Sequence, residues 1–270
     1  MFLKRKEETA IERFLNHIFC LDNLELLGQL PDSSIDLIYC DILYNTGKCF
    51  NDFDDNLGTI DQSLGFYRPR LKEMARVLKP TGSIYIHCDY RLSHYLKVEL
   101  DNVFGINNFR NEIIWCYAGG GIPKNDFPRK HDVILRYSKT DNYFYQPIYH
   151  PYSKGTLQRG RTKVKGKYAE QGLRKEGTPV NDWWDDIKPI CSPTDKERIG
   201  YDTQKPKALL ERIIKASSNV GDVVADFFIG SGTSLVIAKE LGRNYVGCDI
   251  NPRSIDVANQ RLKGVNCNDL

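Results

Sequence analysis

A chain of 270 residues, 41% hydrophobic and 27% charged, has the make-up of an ordinary globular protein, which excludes wholesale disorder and fibrous repeats. At this length folding buries about three quarters of the unfolded surface, so no disulfide or metal staple is required. Lys and Arg number 38 against 35 acids; the resulting +3 does not by itself identify a polyanion partner, and the distribution of charge carries more information.

The run IDLIYCD from Ile35 is short, apolar and rich in β-formers, as expected of a buried parallel strand. Leu64, Tyr67, Leu71, Ala75 and Leu78 then recur at helical spacing, and Lys79-Pro80-Thr81-Gly82 is expected to stop that helix in a turn. SIYIHCD (83–89) predicts a second strand and 91–103 a second helix, with further strands at EIIWCY (112–117) and DVILRYS (132–138). After Tyr201 a helix carries Leu210, Ile213, Ile214 and Ser217 on one face, followed by the strand DVVADFF (222–228). Gly230-Ser231-Gly232 opens a helix through Leu241, Arg243–Asp249 forms a strand, and Asn251 caps a last helix with Pro252 at its first position. Strands alternating with helices predict an α/β layered fold, Rossmann-like, with a mostly parallel central sheet and helices on both faces.

Composition shifts between about 118 and 200. Segment 153–175 carries Lys154, Arg159, Arg161, Lys163, Lys165, Lys167, Arg174 and Lys175 against the single acid Glu170, and predicts a loop-rich insertion with mobile basic arms. The expected organisation is one domain in two halves, 1–117 and 201–270, interrupted by an insertion over 118–200 in which 131–140 returns to the core. Eight cysteines (Cys20, Cys40, Cys49, Cys88, Cys116, Cys191, Cys248, Cys267) form no CxxC pair and lie near no His at finger spacing, so no metal is expected and most should be small apolar core residues. No signal-like stretch and no run of about 18 apolar residues occurs, which predicts a cytoplasmic protein without a membrane partner.

In ADFFIGSGTS the glycines fall between a strand and a helix, where free backbone N–H groups meet a ligand at close range. A dinucleotide turn wants a third glycine where this chain has Leu235, which disfavours a NAD-linked dehydrogenase. Asp249 ends the next strand, where a carboxylate can accept hydrogen bonds from ribose hydroxyls. The pair suits a nucleoside-bearing cofactor such as S-adenosyl-L-methionine; the alternative is a tight turn and a solvated aspartate. Asp41-Ile42-Leu43-Tyr44 places an acid and an aromatic at another strand's carboxyl end, where α/β sheets bind ligands. On that tetrapeptide alone, a polar loop with a packing tyrosine accounts for it equally well.

Together these segments resemble the amino-group-specific DNA methyltransferases of the β class, in which the catalytic loop comes first, a target-recognition insertion follows and the cofactor turn comes last. ADFFIGSGTS resembles the family's DPFxGSGTT at Asp226, Phe228, Gly230, Ser231, Gly232 and Thr233, and DTQKP (202–206) resembles its TQKP element. LDNLELLGQLPDSSIDLIYCD (21–41), EMARVLKPTGSIYIH (73–87) and YRLSHYLKVELDNVFG followed by FRNEIIW resemble its other segments, so that 20–140 and 200–263 are largely covered. DILY stands for the usual DPPY, which removes the rigidity of two prolines, and Phe227 and Ser234 replace a proline and a threonine.

The resemblance implies transfer of a methyl group from S-adenosyl-L-methionine to the N6 amine of an adenine flipped out of double-stranded DNA. It implies that Asp41 and the Ile42 carbonyl hold the amine while Tyr44 stacks on the base. It implies cofactor contacts from Asp22, Asp41, Lys205, Phe227, Phe228, Gly230, Ser231, Gly232, Thr233 and Asp249. The basic positions Arg129, Lys130, Arg159, Arg161, Lys163, Lys165 and Lys167 suit DNA phosphates, while Trp183 and Trp184 either stack on bases or anchor the insertion. A cognate restriction endonuclease and a homodimer are partners such enzymes have. The alternatives are methylation of cytosine N4 or of an RNA amine, and a catalytically silent DNA-binding specificity partner.

Overall fold

The computed structural model describes residues 10–50, 53–118, 121–159 and 173–265. In chain order the elements are β1 (His17–Cys20), α1 (Asn23–Gln29), β2 (Ile35–Asp41), β3 (Lys48–Cys49), β4 (Asp54–Asp55), α2 (Ile60–Val77), β5 (Leu78–Cys88), α3 (Ser93–Phe104), β6 (Phe109–Cys116) and β7 (His131–Ser138). There follow β8 (Tyr149–His150), α4 (Lys154–Arg159), β9 (Thr178–Pro179), β10 (Trp183–Trp184), α5 (Lys207–Ser217), β11 (Val223–Asp226), α6 (Thr233–Glu240), β12 (Asn244–Asp249) and α7 (Pro252–Lys263).

Eight strands form one sheet in the order β1-β12-β11-β2-β5-β7-β6-β10. All neighbours are parallel except β7, which runs antiparallel to both β5 and β6. Side-chain alternation along each strand divides the core. Ile38 and Cys40 of β2 pack on one face with Leu26, Leu71 and Leu96 from α1, α2 and α3. Leu37 and Tyr39 pack on the other with Leu210, Leu235 and Ala258 from α5, α6 and α7. This is the expected layered α/β fold. Strand β7, inside the compositional insertion, is part of the central sheet.

Several local expectations need correction. The helix ends where expected, at Val77, but Lys79–Gly82 is no turn: β5 starts at Leu78, and the pairing slips from Ile35–Leu78 to Leu37–Ser83, so those residues form an irregularity inside the strand. Strand β1 and helix α1 have four and seven residues, too short for a period to show. Of the seven described cysteines only Cys40, Cys88 and Cys248 are buried, while Cys20, Cys49 and Cys191 are exposed. Trp184 is buried and Trp183 exposed in β10, an edge strand paired with β6, so the buried Trp184 anchors the insertion to the sheet. Among the described residues, no helix is long and apolar enough to cross a membrane.

Ile38 is fully buried on the central strand β2, with β11 and β5 on either side. Ile38→Ala is expected to destabilise the fold by about 2–5 kcal/mol, because the sheet cannot close around the lost side chain; urea unfolding followed by circular dichroism measures it.

Candidate functional site

In an open α/β sheet, ligands sit beyond the carboxyl ends of the strands, where the order of connections reverses. That point lies between β2, whose chain continues to β5 on one side, and β11, whose chain continues to β12 on the other. Three neighbouring strands end there in carboxylates, Asp41 on β2, Asp226 on β11 and Asp249 on β12. They face one cleft of about 410 Å³, which is also lined by Asp22, Ile42, Tyr44, Lys205, Phe227, Phe228, Gly230, Ser231 and Thr233.

One wall is the glycine turn. Gly230 and Gly232 have φ of +46° and +74°, which L side chains rarely adopt. At Gly232 a Cβ would also meet the Ala258 Cβ at 2.5 Å, so the turn packs directly on α7. Gly232 therefore serves helix packing and is not among the residues lining the cleft. Asp249 accepts from the N–H groups of Gly230 (3.0 Å) and Asn251 (2.9 Å), and burial raises its pKa. Asp226, buried beneath the turn, accepts from the Phe228 N–H at 2.9 Å and from the Ser234 hydroxyl. Burial, reinforced by the charges of Asp41 and Asp249, pushes its pKa up to about 7.

Asp22 forms the rim. It caps α1 by accepting from the Leu24 N–H at 2.8 Å and pairs with Arg70 at 2.7 Å. Arg70 lies 3.5 Å over the Phe66 ring and bonds Asn23, whose amide donates to the Phe227 carbonyl at 3.0 Å. The two halves of the chain are thereby joined at the cleft.

The opposite wall is the DILY loop. Tyr44 donates its phenol to Asp41 Oδ1 at 2.8 Å, and Lys205 Nζ bonds Asp41 Oδ2. Behind them the fully buried His87 lies 2.9 Å from the Tyr39 hydroxyl and 3.2 Å from Asp132 Oδ2, and Tyr117 donates to Asp132 at 3.0 Å. Burial pushes the Asp132 carboxyl up, but His87, Lys205 and Tyr117 together hold it below its ordinary value. Burial, then the charges of Asp41 and Asp132, raises the Tyr44 phenol well above its ordinary value, which keeps it a donor.

The loop is fixed without prolines. The Ile42 N–H, which a proline would lack, donates to the His87 carbonyl at 3.2 Å, and the Ile42 side chain is buried. Tyr67 donates to the Leu43 carbonyl at 2.8 Å. Asn45, at φ +53°, accepts from the Leu57 N–H at 2.7 Å and donates to Gly58 at 2.8 Å. Asp55 accepts from the N–H groups of Asn45 and Thr46 at 2.9 and 3.0 Å.

Lys205, expected to contact the cofactor, is engaged with Asp41. Arg129 and Lys130 lead into β7 at the sheet edge that bears the cleft, because β7 runs antiparallel to its neighbours. Arg129 is exposed and stacks over Tyr90 at 4.8 Å, and Lys130 donates to the Gly121 carbonyl at 3.3 Å. Arg159 ends α4; Arg161, Lys163, Lys165 and Lys167 lie outside the described residues. Sequence reasoning passed over His87, Asp132 and Asp226 as site residues. The signal was a polar side chain inside an otherwise apolar strand run, in SIYIHCD, HDVILRYS and VVADFF.

Asp226 binds its proton more tightly in the folded chain than in the unfolded one, so its contribution to stability is present below about pH 4 and is lost as pH rises through about 7. Asp226→Asn keeps the shape without that charge. Its stability is expected to fall less than that of the natural protein between pH 5 and pH 8, read from urea midpoints at both ends (about the span in which the carboxyl titrates).

The sequence profile of the DNA methylase family, the N6/N4 methyltransferases, matches residues 35–260. The chain is 37% identical over 246 residues to the type II methyltransferase M.HpaI of Haemophilus parainfluenzae, covering 91% of this chain and 73% of that one. It is 32% identical to the DNA adenine methyltransferase YhdJ of Escherichia coli K12, over 89% of this chain and 80% of that one. Among solved structures, TTHA0409 of Thermus thermophilus in complex with S-adenosyl-L-methionine superposes with a TM-score of 0.62 at 22% identity, over 91% and 92% of the two chains.

Proposed function

This chain belongs to the DNA methylase family, and we propose that it is a site-specific adenine-N6 methyltransferase acting on duplex DNA with S-adenosyl-L-methionine as methyl donor. The observation that carries the reading is the placement of Asp41 and Tyr44 across one cleft from the glycine turn and Asp249. The cleft suits the donor. Asp249 stands at a strand end for ribose hydroxyls, the partly exposed Phe228 offers apolar surface to a base while Phe227, expected beside it, is 1% exposed and packs in the core, and the positive φ of Gly230 brings main chain to the wall without a Cβ. Asp22, with one oxygen on the α1 cap and the other on Arg70, is held at the rim for the adenine; Ser231 and Thr233 face the remaining part.

S-adenosyl-L-methionine, when bound, supplies an electrophilic sulfonium methyl group. Everything else is positioning by the chain. An adenine N6 amine is a poor nucleophile because its lone pair is spread into the ring. Asp41 and the Ile42 carbonyl accept its two hydrogens, which turns the lone pair out of the ring plane, and Tyr44 stacks on the extruded base. Lys205 and the Tyr44 phenol hold the Asp41 carboxylate in place, so it orients the amine first. It takes up the surplus proton only after nitrogen has become cationic.

The insertion over 118–200, apart from β7 and β10, is the part we assign to target recognition. Arg129, Lys130 and the basic positions 159–167 contribute phosphate contacts. The resemblance to type II methyltransferases makes a cognate restriction endonuclease the expected cellular counterpart, and the compartment we assign is the cytoplasm.

Asp41→Ala is expected to abolish methyl transfer from labelled S-adenosyl-L-methionine to unmethylated DNA while cofactor binding persists. Near-full activity in that variant rejects the assignment. Nucleoside mass spectrometry of the natural enzyme's product should show N6-methyladenine, and N4-methylcytosine would overturn the choice of base. Asp249→Ala should lose cofactor binding in calorimetry with its circular dichroism unchanged.

A further inference from the structure

On the sheet face covered by α5, away from the cleft, lies a second cavity of about 310 Å³ between the β5–β7–β6 strands, the end of α5 and the segment that leads into β10. No residue lines both spaces: Leu210 of α5 faces the methyl-transfer cleft, whereas Arg212, Ile213 and Ala216, further along the same helix, line this cavity. The size falls at the lower end of small-molecule sites, about 300–1,000 Å³.

Arg136 of β7 lines the cavity and is only 3% exposed. Its Nη1 makes one long contact, 3.4 Å to Asn111 Oδ1, while Nε and Nη2 are buried and have no hydrogen-bond partner among the described residues. These two nitrogens form one edge of the guanidinium, the edge that grips a carboxylate with two parallel N–H bonds. The same chain shows that grip at Arg68, whose Nε and Nη2 each lie 2.8 Å from Glu99. The guanidinium carbon lies 4.6 Å from the Tyr145 ring, 5.3 Å from Tyr143 and 5.7 Å from Tyr85, and none of these residues gives Nε or Nη2 a hydrogen-bond acceptor. The one other buried side-chain atom without a partner among the described residues, Ser83 Oγ, lies two residues from Tyr85 on β5, on the sheet face that carries Arg136. Buried polar groups are nearly always paired, and a buried cation without an anion is costly, so the two unpartnered Arg136 nitrogens mark a place where a partner belongs. Arg212, the other cation in the lining, is already paired with Asp186. Trp184, Ile213 and Ala216 supply an apolar wall.

We infer that this cavity is a second small-molecule site, separate from the methyl-transfer cleft, for a ligand that presents a carboxylate or phosphate group to the Nε–Nη2 edge of Arg136 and a small apolar or planar body to Trp184 and Tyr145.

Calorimetric titration of the full chain with benzoate, inorganic phosphate and benzamide tests the site, with and without saturating S-adenosyl-L-methionine. Benzoate or phosphate should bind saturably and benzamide, the neutral isostere, should not; the stronger of the two anions tells a ring-borne carboxylate from a free phosphate. Saturating S-adenosyl-L-methionine should leave the titration unchanged. Arg136→Lys keeps the charge but loses the fork, and should weaken anion binding at least about tenfold. Tyr145→Ala, at an exposed position, should weaken benzoate without altering the fold, and localises the site if the arginine variant does not fold. Absence of saturable binding by either anion overturns the proposal. So does equal binding of benzamide, displacement by S-adenosyl-L-methionine, or affinity unchanged in the folded variants.

Discussion

The crevice between β2 and β11 depends on keeping three carboxylates at the ends of three adjacent parallel strands. Like charges at such spacing repel, and burial penalises each of them. The fold meets this constraint by giving each acid a different environment. Asp41 has a lysine and a phenol, Asp249 has two backbone N–H donors, and Asp226 is pushed up to about pKa 7, so that much of its charge is neutralised near neutrality. Lys205 is central to this arrangement because it arrives from the residues before α5, in the half of the chain that also carries the glycine turn. The DILY loop is thus tied electrostatically to the half of the chain that carries the glycine turn.

Preorganisation of the DILY loop shows how one structural need can be met by different chemistry. Two prolines stiffen a loop by restricting φ and removing donors. Here the loop is held from outside by hydrogen bonds to Ile42, Leu43, Asn45 and Thr46, drawn from His87, Tyr67, Leu57, Gly58 and Asp55. The Ile42 N–H bond to β5 exists only because that position is not proline. The departure from the family tetrapeptide therefore removes intrinsic stiffness while adding an anchor, and the acid and the aromatic remain aimed at the same cleft.

The network behind the loop links the central sheet to the site. His87 lies near the end of β5 and Asp132 near the start of β7, and the two meet because β7 runs antiparallel to β5. Their polar groups are satisfied by Tyr39, Tyr44 and Tyr117, so a buried polar cluster rests under the loop without orphaned atoms. The contrast with Arg136, two residues further along the same face of β7 than Ile134, is direct: at one end of this strand the polar groups are paired, and at the other two buried guanidinium nitrogens have no partner among the described residues.

Periodicity and turn chemistry read from the sequence determined the layered α/β class, the five helices α2, α3, α5, α6 and α7, the six strands β2, β5, β6, β7, β11 and β12, and the two loops that make the cleft, because each depends on residues close together in the chain. Asp41, Tyr44 and Asp249 were legible for the same reason, since a strand end followed by a loop is a local pattern. The tertiary structure alone decided the rest. Helix α1 is too short to have a period, β1 is a half-exposed strand without the continuous apolar run that marks the equally short β11, and the irregularity at Lys79–Gly82 reflects pairing with β2, which overrides the turn tendency of Pro and Gly. The bond from Lys205 to Asp41 spans 164 positions and the contact of His87 with Asp132 spans 45, and no local signal encodes such pairs. The unpaired edge of Arg136 was equally invisible, because whether a buried cation has a partner is settled by which side chains the sheet brings to the same face.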